Sequence, residues 1–215
     1  MQEITIQAKD GIDLAALYWD NAADQSVLLL HMMPATKESW VELAEKLSAE
    51  DLNVLAIDFR GHGNSGGGDF KTFTPEQHYG YFKDVEAAAA FLETKYPSGV
   101  IMPGGASIGA NLALWYMTKH SMNAPKGFAL SAGLDYYGVR AIDFVQTLHG
   151  DQAVMLVGSH DDKQDASDNG TATEQLANAA TSKKEKIIFD AGGHGTNLFA
   201  SHPELIDRIV TFFTS

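Results

Sequence analysis

Val100-Ile101-Met102, Gly105-Ala106-Ser107-Ile108-Gly109 and the segment from Asn111 to Lys119 stand in close succession along the chain. The first reads as a short buried strand and the last as a helix. A serine on the turn between them is pushed out of both elements. The backbone crowds itself at such a turn, so the neighbours must be small, and Gly105 and Gly109 supply the room. The helix that follows aims its first N–H groups at the same point, where they stabilise developing negative charge. Ser107 is the candidate nucleophile. Its placement between strand and helix matters more than the short G-x-S-x-G pattern itself.

Outward from this turn, strands and helices alternate. Ile4, Ile6 and Ala8 share one face, and Leu14, Ala16 and Tyr18 repeat the period after Asp10-Gly11, which predicts an N-terminal antiparallel hairpin. Val27 to Leu30 and Val54 to Ile57 are continuous apolar runs, the type found where a strand is covered on both faces. Trp40, Leu43, Ala44 and Leu47 recur at helical spacing. Thr74-Pro75-Glu76 reads as the cap and first turn of a helix running through Val85 and Phe91 towards Tyr96. Further strands are predicted at Gly127 to Ser131, Ala153 to Val157 and Lys186 to Phe189. Helices are predicted at Val139 to Leu148, Thr173 to Ala180 and Pro203 to Phe213. This alternation predicts an α/β protein with a mostly parallel sheet and helices on both faces. No repeat or linker divides the chain, so residues 1–215 are expected to form a single domain.

Composition narrows the function. The 215 residues are 45% hydrophobic, enough for a sizeable core, and include no Cys, which removes disulfides, thiolate metal sites and a thiol nucleophile together. Fifteen basic against 28 acidic residues give a formal charge of -13, which repels phosphate backbones and anionic lipid. Nucleic acid and membrane are therefore not expected partners. The N-terminal stretch is polar and the longest apolar run is far shorter than a membrane span, so a cytoplasmic protein is expected, as a monomer or a small homo-oligomer.

Three other segments join the serine turn in order. Leu29-Leu30-His31-Met32-Met33-Pro34 resembles a strand-end H-G-x-P segment, and Asp58-Phe59-Arg60-Gly61-His62-Gly63-Asn64-Ser65 a D-x-R-G-H-G-x-S segment after the next strand. Gly192-Gly193-His194-Gly195 lies between a late strand and the last helix. With Gly105 to Gly109, these four resemble the α/β-hydrolase family over almost the whole chain, in its small lidless serine carboxylesterase form. The resemblance implies a Ser, acid, His order, with His194 as base and the acid in the loop after Ala153 to Val157. That loop offers Asp162, which is favoured because similar lidless esterases carry Ser in the small-residue slot, with Asp161 as the alternative and Asp165 a distant third. It also implies an oxyanion hole from the backbone N–H groups of Met33 and Ile108. Met32 stands where the family usually has Gly, and either lines the acyl pocket or packs into the core. About twenty residues separate the strand ending at Ser131 from the next, too few for a substantial lid. The cap is expected to be minimal or absent, with Tyr136 and Tyr137 forming the rim.

His31 and His62 are expected to be structural hydrogen-bonders, and His78, His120, His149 and His202 surface groups. No histidine pair has the spacing of a helical metal site, and the glycine-rich stretch Gly61 to Gly68 lacks both the Walker and the dinucleotide patterns, so neither metal nor cofactor is expected. The Asp-rich stretch Ser159 to Gly170 does not match an EF-hand. The resemblance implies hydrolysis of small soluble carboxylic esters. Thioesters, small peptides and aromatic (feruloyl or cinnamoyl) esters are alternatives in the same fold, and a non-catalytic binding protein is the alternative outside it.

Overall fold

The computed structural model describes residues 1–164 and 167–215, with Gln164 described by its backbone alone. Asp165 lies outside the described residues. Ten strands are present among them: β1 (Gln2–Gln7), β2 (Asp13–Trp19), β3 (Gln25–Leu30), β4 (Asn53–Ile57), β5 (Val100–Ala106), β6 (Lys126–Leu130), β7 (Ala153–Ser159), β8 (Lys163–Gln164), β9 (Ser167–Asp168) and β10 (Lys183–Phe189). The helices are α1 (Val41–Ala49), α2 (Pro75–His78), α3 (Gly80–Lys95), α4 (Ile108–Lys119), α5 (Ala141–Val145), α6 (Asn169–Ala179), α7 (Leu198–Ser201) and α8 (Glu204–Thr214).

Eight strands form one sheet in the order β1-β2-β4-β3-β5-β6-β7-β10, and β8 and β9 form a small separate ribbon. The pairs β1/β2 and β2/β4 are antiparallel and the remaining pairs parallel, as the N-terminal hairpin and later apolar runs predict. Side chains alternate between faces, so a strand buried on both sides must be apolar throughout. Leu28, Leu30, Leu55 and Ile57 point to a core shared with Tyr81 and Val85 of α3, Leu112 of α4 and Leu176 of α6. Val27, Leu29, Val54 and Ala56 point to the other core, with Leu43 and Leu47 of α1 and Leu205 and Ile209 of α8. The chain order reverses at β3, between β4 and β5, and α/β sheets of this type place their sites outside the carboxyl ends of the strands at such a point.

The helix expected from Thr74 is broken in two. Thr74 and Gln77 form a reciprocal capping box that starts α2, and α3 begins afresh at Gly80. Gly80 is a weak helix former, and its missing side chain admits Arg60: a Cβ there would come 2.6 Å from Arg60 Cδ. Arg60 in turn spans two carboxylates. Its backbone N–H, Nε and Nη2 donate to Asp84 of α3 at 2.7–2.9 Å, and Nη1 donates to Asp10 at 2.8 Å. The loop after β4 is thereby tied to both the hairpin turn and α3. The expected helix in the β6–β7 connection shrinks to the five residues of α5, and no cap covers the sheet's carboxyl edge there. β8, β9 and α7 escape a sequence reading because two to four residues show no period.

Asp84→Ala removes a fully buried carboxylate and strands part of the Arg60 guanidinium, so a loss of about 3–5 kcal/mol is expected. Urea denaturation measures it. A shift below about 1 kcal/mol, the value of an exposed pair, would show that the Arg60 anchor is dispensable.

Candidate active site

Ser107 occupies the turn between β5 and α4 with φ 55° and ψ -122°, a conformation that side chains rarely adopt. Its N–H donates to the Leu130 carbonyl of β6 at 2.9 Å, and its carbonyl accepts from Ala110 at 2.9 Å. The crowding foreseen around the turn is severe. A Cβ at Gly105 would sit 2.2 Å from the Gly109 carbonyl, and one at Gly109 would sit 2.2 Å from the Leu30 carbonyl at the end of β3. Ile108 is the first residue of α4, so its N–H has no acceptor in a preceding helical turn.

Beside this turn, β3 runs into His31, Met32 and Met33. The buried His31 ring fixes the segment: Phe59 N–H donates to Nε2 at 3.0 Å, so the other nitrogen carries the proton and Nδ1 donates to the Met32 carbonyl at 2.8 Å. His62, against Phe70 at 4.0 Å between ring centroids, holds its own loop through Nδ1 and the Arg60 carbonyl. Asp58 pins the following loop, accepting from Lys37 N–H and Nζ, both at 2.8 Å, and from Asn64 N–H at 3.0 Å. Met32 is buried beneath the His194 loop, its sulfur 4.0 Å from Thr196 Oγ1 and in the space that a Gly195 side chain would need. Of the two expected placements for Met32, this one lies in the core, because the Gly195 turn closes over it. Met33 is half-buried, its sulfur accepting from Tyr81 Oη at 3.5 Å, and the Met33–Pro34 peptide bond is cis.

The two adjacent aspartates divide. Asp162 Oδ2 accepts from His194 Nδ1 at 2.7 Å, which leaves Nε2 as the basic nitrogen. Asp161 turns to the loop that carries His194: it accepts from the N–H groups of Gly192 and Gly193 at 3.1 Å and from Ser159 Oγ at 2.8 Å. The Ser159 hydroxyl and these two N–H groups hold the Asp161 carboxyl below its usual range. Gly195 N–H donates to Ser131 Oγ at 2.9 Å, and Gly195 packs against Ala106, the neighbour of Ser107. Asp168 caps α6 and pairs with His160 Nδ1 at 2.7 Å, so its carboxylate is engaged in local structure. Among the described residues, no group of three or more His, Asp or Glu side chains is arranged to hold a metal ion.

Tyr136 completes the cluster. Its hydroxyl lies beside the Ser107 side chain and 3.5 Å from the Ser131 carbonyl. Burial pushes the phenol up to about 12, with the Asp162 charge adding to the rise and Ser107 opposing it, so the hydroxyl keeps its proton and can donate. Two buried side chains that sequence reading missed hold this segment: Asn111 of α4 donates to the carbonyls of Gly133 and Val139, and Asn169 of α6 to that of Ala132. For Asn111, a lone Asn inside an apolar helical stretch was the available signal. His78, expected at the surface, is buried and stacks on Tyr137 at 4.2 Å between centroids, because the short α2 folds its last residue under the exposed Tyr137 ring.

The family model described as "Serine aminopeptidase, S33" matches residues 21–150, more than half of the 215. The chain belongs to this family of α/β hydrolases. Solved α/β hydrolases resemble it over nearly their full lengths. An esterase of Pyrococcus furiosus superposes with a TM-score of 0.78 at 20% identity, covering 99% of this chain and 90% of that one. An esterase of Exiguobacterium antarcticum gives 0.77 at 15% identity with 100% of each chain covered. The ferulic-acid-bound Est1E of Butyrivibrio proteoclasticus gives 0.77 at 19%, covering 98% and 97%. At such identities the likeness shows the fold. No curated protein matches the chain. Among the described residues, no helix of this hydrolase is long and apolar enough to cross a membrane.

Burial pushes His31 down to about 4 and lowers the neighbouring His62 too. Between its ordinary value of 6.5 and about 4, the unfolded chain binds a proton that folded His31 refuses. Stability is therefore full above about pH 6.5 and falls as pH drops towards 4. Urea midpoints at about pH 7, 5.5 and 4.5 should decline in that order. Equal midpoints would contradict a buried neutral His31 beneath the Met32–Met33 turn.

Proposed function

We propose that this hydrolase cleaves carboxylic esters of small or short-acyl soluble substrates through an acyl-enzyme on Ser107. Ser107 Oγ attacks the ester carbonyl while His194 Nε2 takes its proton, and the tetrahedral oxyanion rests on the N–H groups of Ile108 and Met33. Collapse breaks the bond to the alkoxy oxygen, and His194 returns the proton to that leaving group. Water then attacks the acyl-enzyme, His194 again serving as base, and the acid departs. Asp162 holds the His194 tautomer and supports the imidazolium. Asp161 is assigned to positioning, since its hydrogen bonds fix the glycine turn before His194. Tyr136 is assigned to substrate binding through its hydroxyl.

The observation that carries the reading is the 2.7 Å contact between His194 and Asp162 on a loop packed against Ala106 and Ser131, the flanks of the Ser107 turn. The lack of a cap between β6 and β7 favours dissolved esters over emulsified lipid. The serine-peptidase description of the family and the esterase neighbours both agree with hydrolytic use of Ser107.

Turnover of p-nitrophenyl acetate should fall about 10⁶-fold in Ser107→Ala and about 10⁴-fold in Asp162→Asn. Asp161→Asn should cost far less, since it weakens a loop contact and leaves the acid in place. Undiminished activity in Asp162→Asn would move the acid's role to its neighbour. Failure of a fluorophosphonate to label Ser107 in folded protein would favour a binding protein. Interfacial activation on long-chain emulsions would contradict the open-site reading.

A further inference from the structure

A groove of about 510 Å³ opens beside the Ser107 site, and the mechanism above does not use it. It begins at Met33, whose N–H is the proposed oxyanion donor, and at Tyr137, next to the Tyr136 whose hydroxyl lies beside Ser107. Its walls are flat rings. Tyr137 is 49% exposed and rests on the buried His78 imidazole, and Phe73 meets that same imidazole edge-on at 5.7 Å. Phe70, half-buried, is stacked on His62 and lines the groove as well. Burial holds both His78 and His62 towards the neutral form, so neither contributes a fixed charge.

One cation lines this wall. Lys71 Nζ lies 5.9 Å from the centre of the Phe70 ring, and among the described residues no carboxylate lies within 4.0 Å of it. The nearby Asp69 carboxylate accepts from the Lys71 backbone N–H. The groove's volume lies within the range of small-molecule sites, and paired rings with an uncompensated cation complement a flat, electron-rich group better than a flexible alkyl chain.

We propose that this groove binds a planar aromatic part of the ester, one that carries an anionic or hydrogen-bond-accepting oxygen at its outer end. The aryl ring lies between Phe70 and Tyr137, and the outer oxygen meets Lys71. The proposal rests on the esterase reading for its substrate but concerns binding alone, and it is tested without turnover.

Titration calorimetry on Ser107→Ala compares two pairs of probes. Cinnamate against 3-cyclohexylpropanoate represents a ring on the acyl side, and 4-hydroxybenzoate against 4-hydroxycyclohexanecarboxylate a ring on the leaving-group side. At least one aromatic member should bind about tenfold more tightly than its saturated partner, and the pair showing the preference identifies the side. The preference should vanish in Tyr137→Ala and Phe70→Ala, with near-ultraviolet circular dichroism reporting that each double variant is folded. Lys71→Gln, a surface change, should weaken 4-hydroxybenzoate about threefold and leave 4-hydroxybenzamide unchanged. No preference in either pair, or one that survives both aromatic variants, overturns the aryl site. An unchanged affinity in Lys71→Gln overturns the outer oxygen. An inactive wild type that still binds the aromatic probes would strike the esterase reading and leave this one standing.

Discussion

The carbonyl of Leu30 stands where a side chain of residue 109 would begin, 2.2 Å from the position a Cβ would take. The end of β3 and the first turn of α4 touch backbone to backbone at that point. The contact brings the Ser107 turn against the strand whose next residues are His31 to Met33, so both proposed oxyanion donors converge. A residue with any side chain at 109 would lift α4 away from β3 and separate them. Holding Ser107 at φ 55° costs about 1–3 kcal/mol, and the bond to Leu130 and the buried Ile108 and Leu112 beside it offset that strain. Glycine at 105 and 109 is thus a requirement of distance, and the rest of the site takes its position from it.

The loops around this contact are fixed by buried polar groups with definite partners. His31, Asp58 with Lys37, and Arg60 with Asp84 lie under the carboxyl ends of β3 and β4, each satisfied by backbone N–H groups or an opposite charge. Apolar side chains could fill the same volume, but a hydrophobic contact tolerates sliding and a directional bond to a named N–H does not. Asp161 and Asp162 illustrate the same economy. In the loop that follows β7, one carboxylate grips the Gly192–Gly193 turn while its neighbour meets the imidazole that the turn delivers.

Much of this was legible in the sequence because it is periodic or locally crowded. Continuous apolar runs marked β3 and β4, and glycine spacing marked the Ser107 turn. The choice between Asp161 and Asp162 was not legible from spacing, since both fit a small-x-x-D pattern and only the loop's direction separates them. Nor could Met32 be placed, because its burial depends on Gly195, more than 160 residues away in the chain. Thr74 correctly announced a helix start, yet α2 stops at His78 and α3 starts again at Gly80, a weak helix former whose missing side chain leaves room for Arg60. The surface placement expected of His78 failed because its burial is made by Tyr137, which no local pattern connects to it. Local chemistry reads out locally, and long-range packing overrides it where backbone from two loops must share one volume.

The charge of -13 takes on a narrower meaning beside the site. At physiological ionic strength, charges further than about 8 Å apart are largely screened, so the acidic surface acts on nucleic acid and on other proteins more than on a ligand within the groove. The groove itself presents a local set: the His78 imidazole, which burial holds towards its neutral form, aromatic faces and the Lys71 ammonium. A protein repellent to anions at a distance can therefore offer an anion-compatible corner at close range.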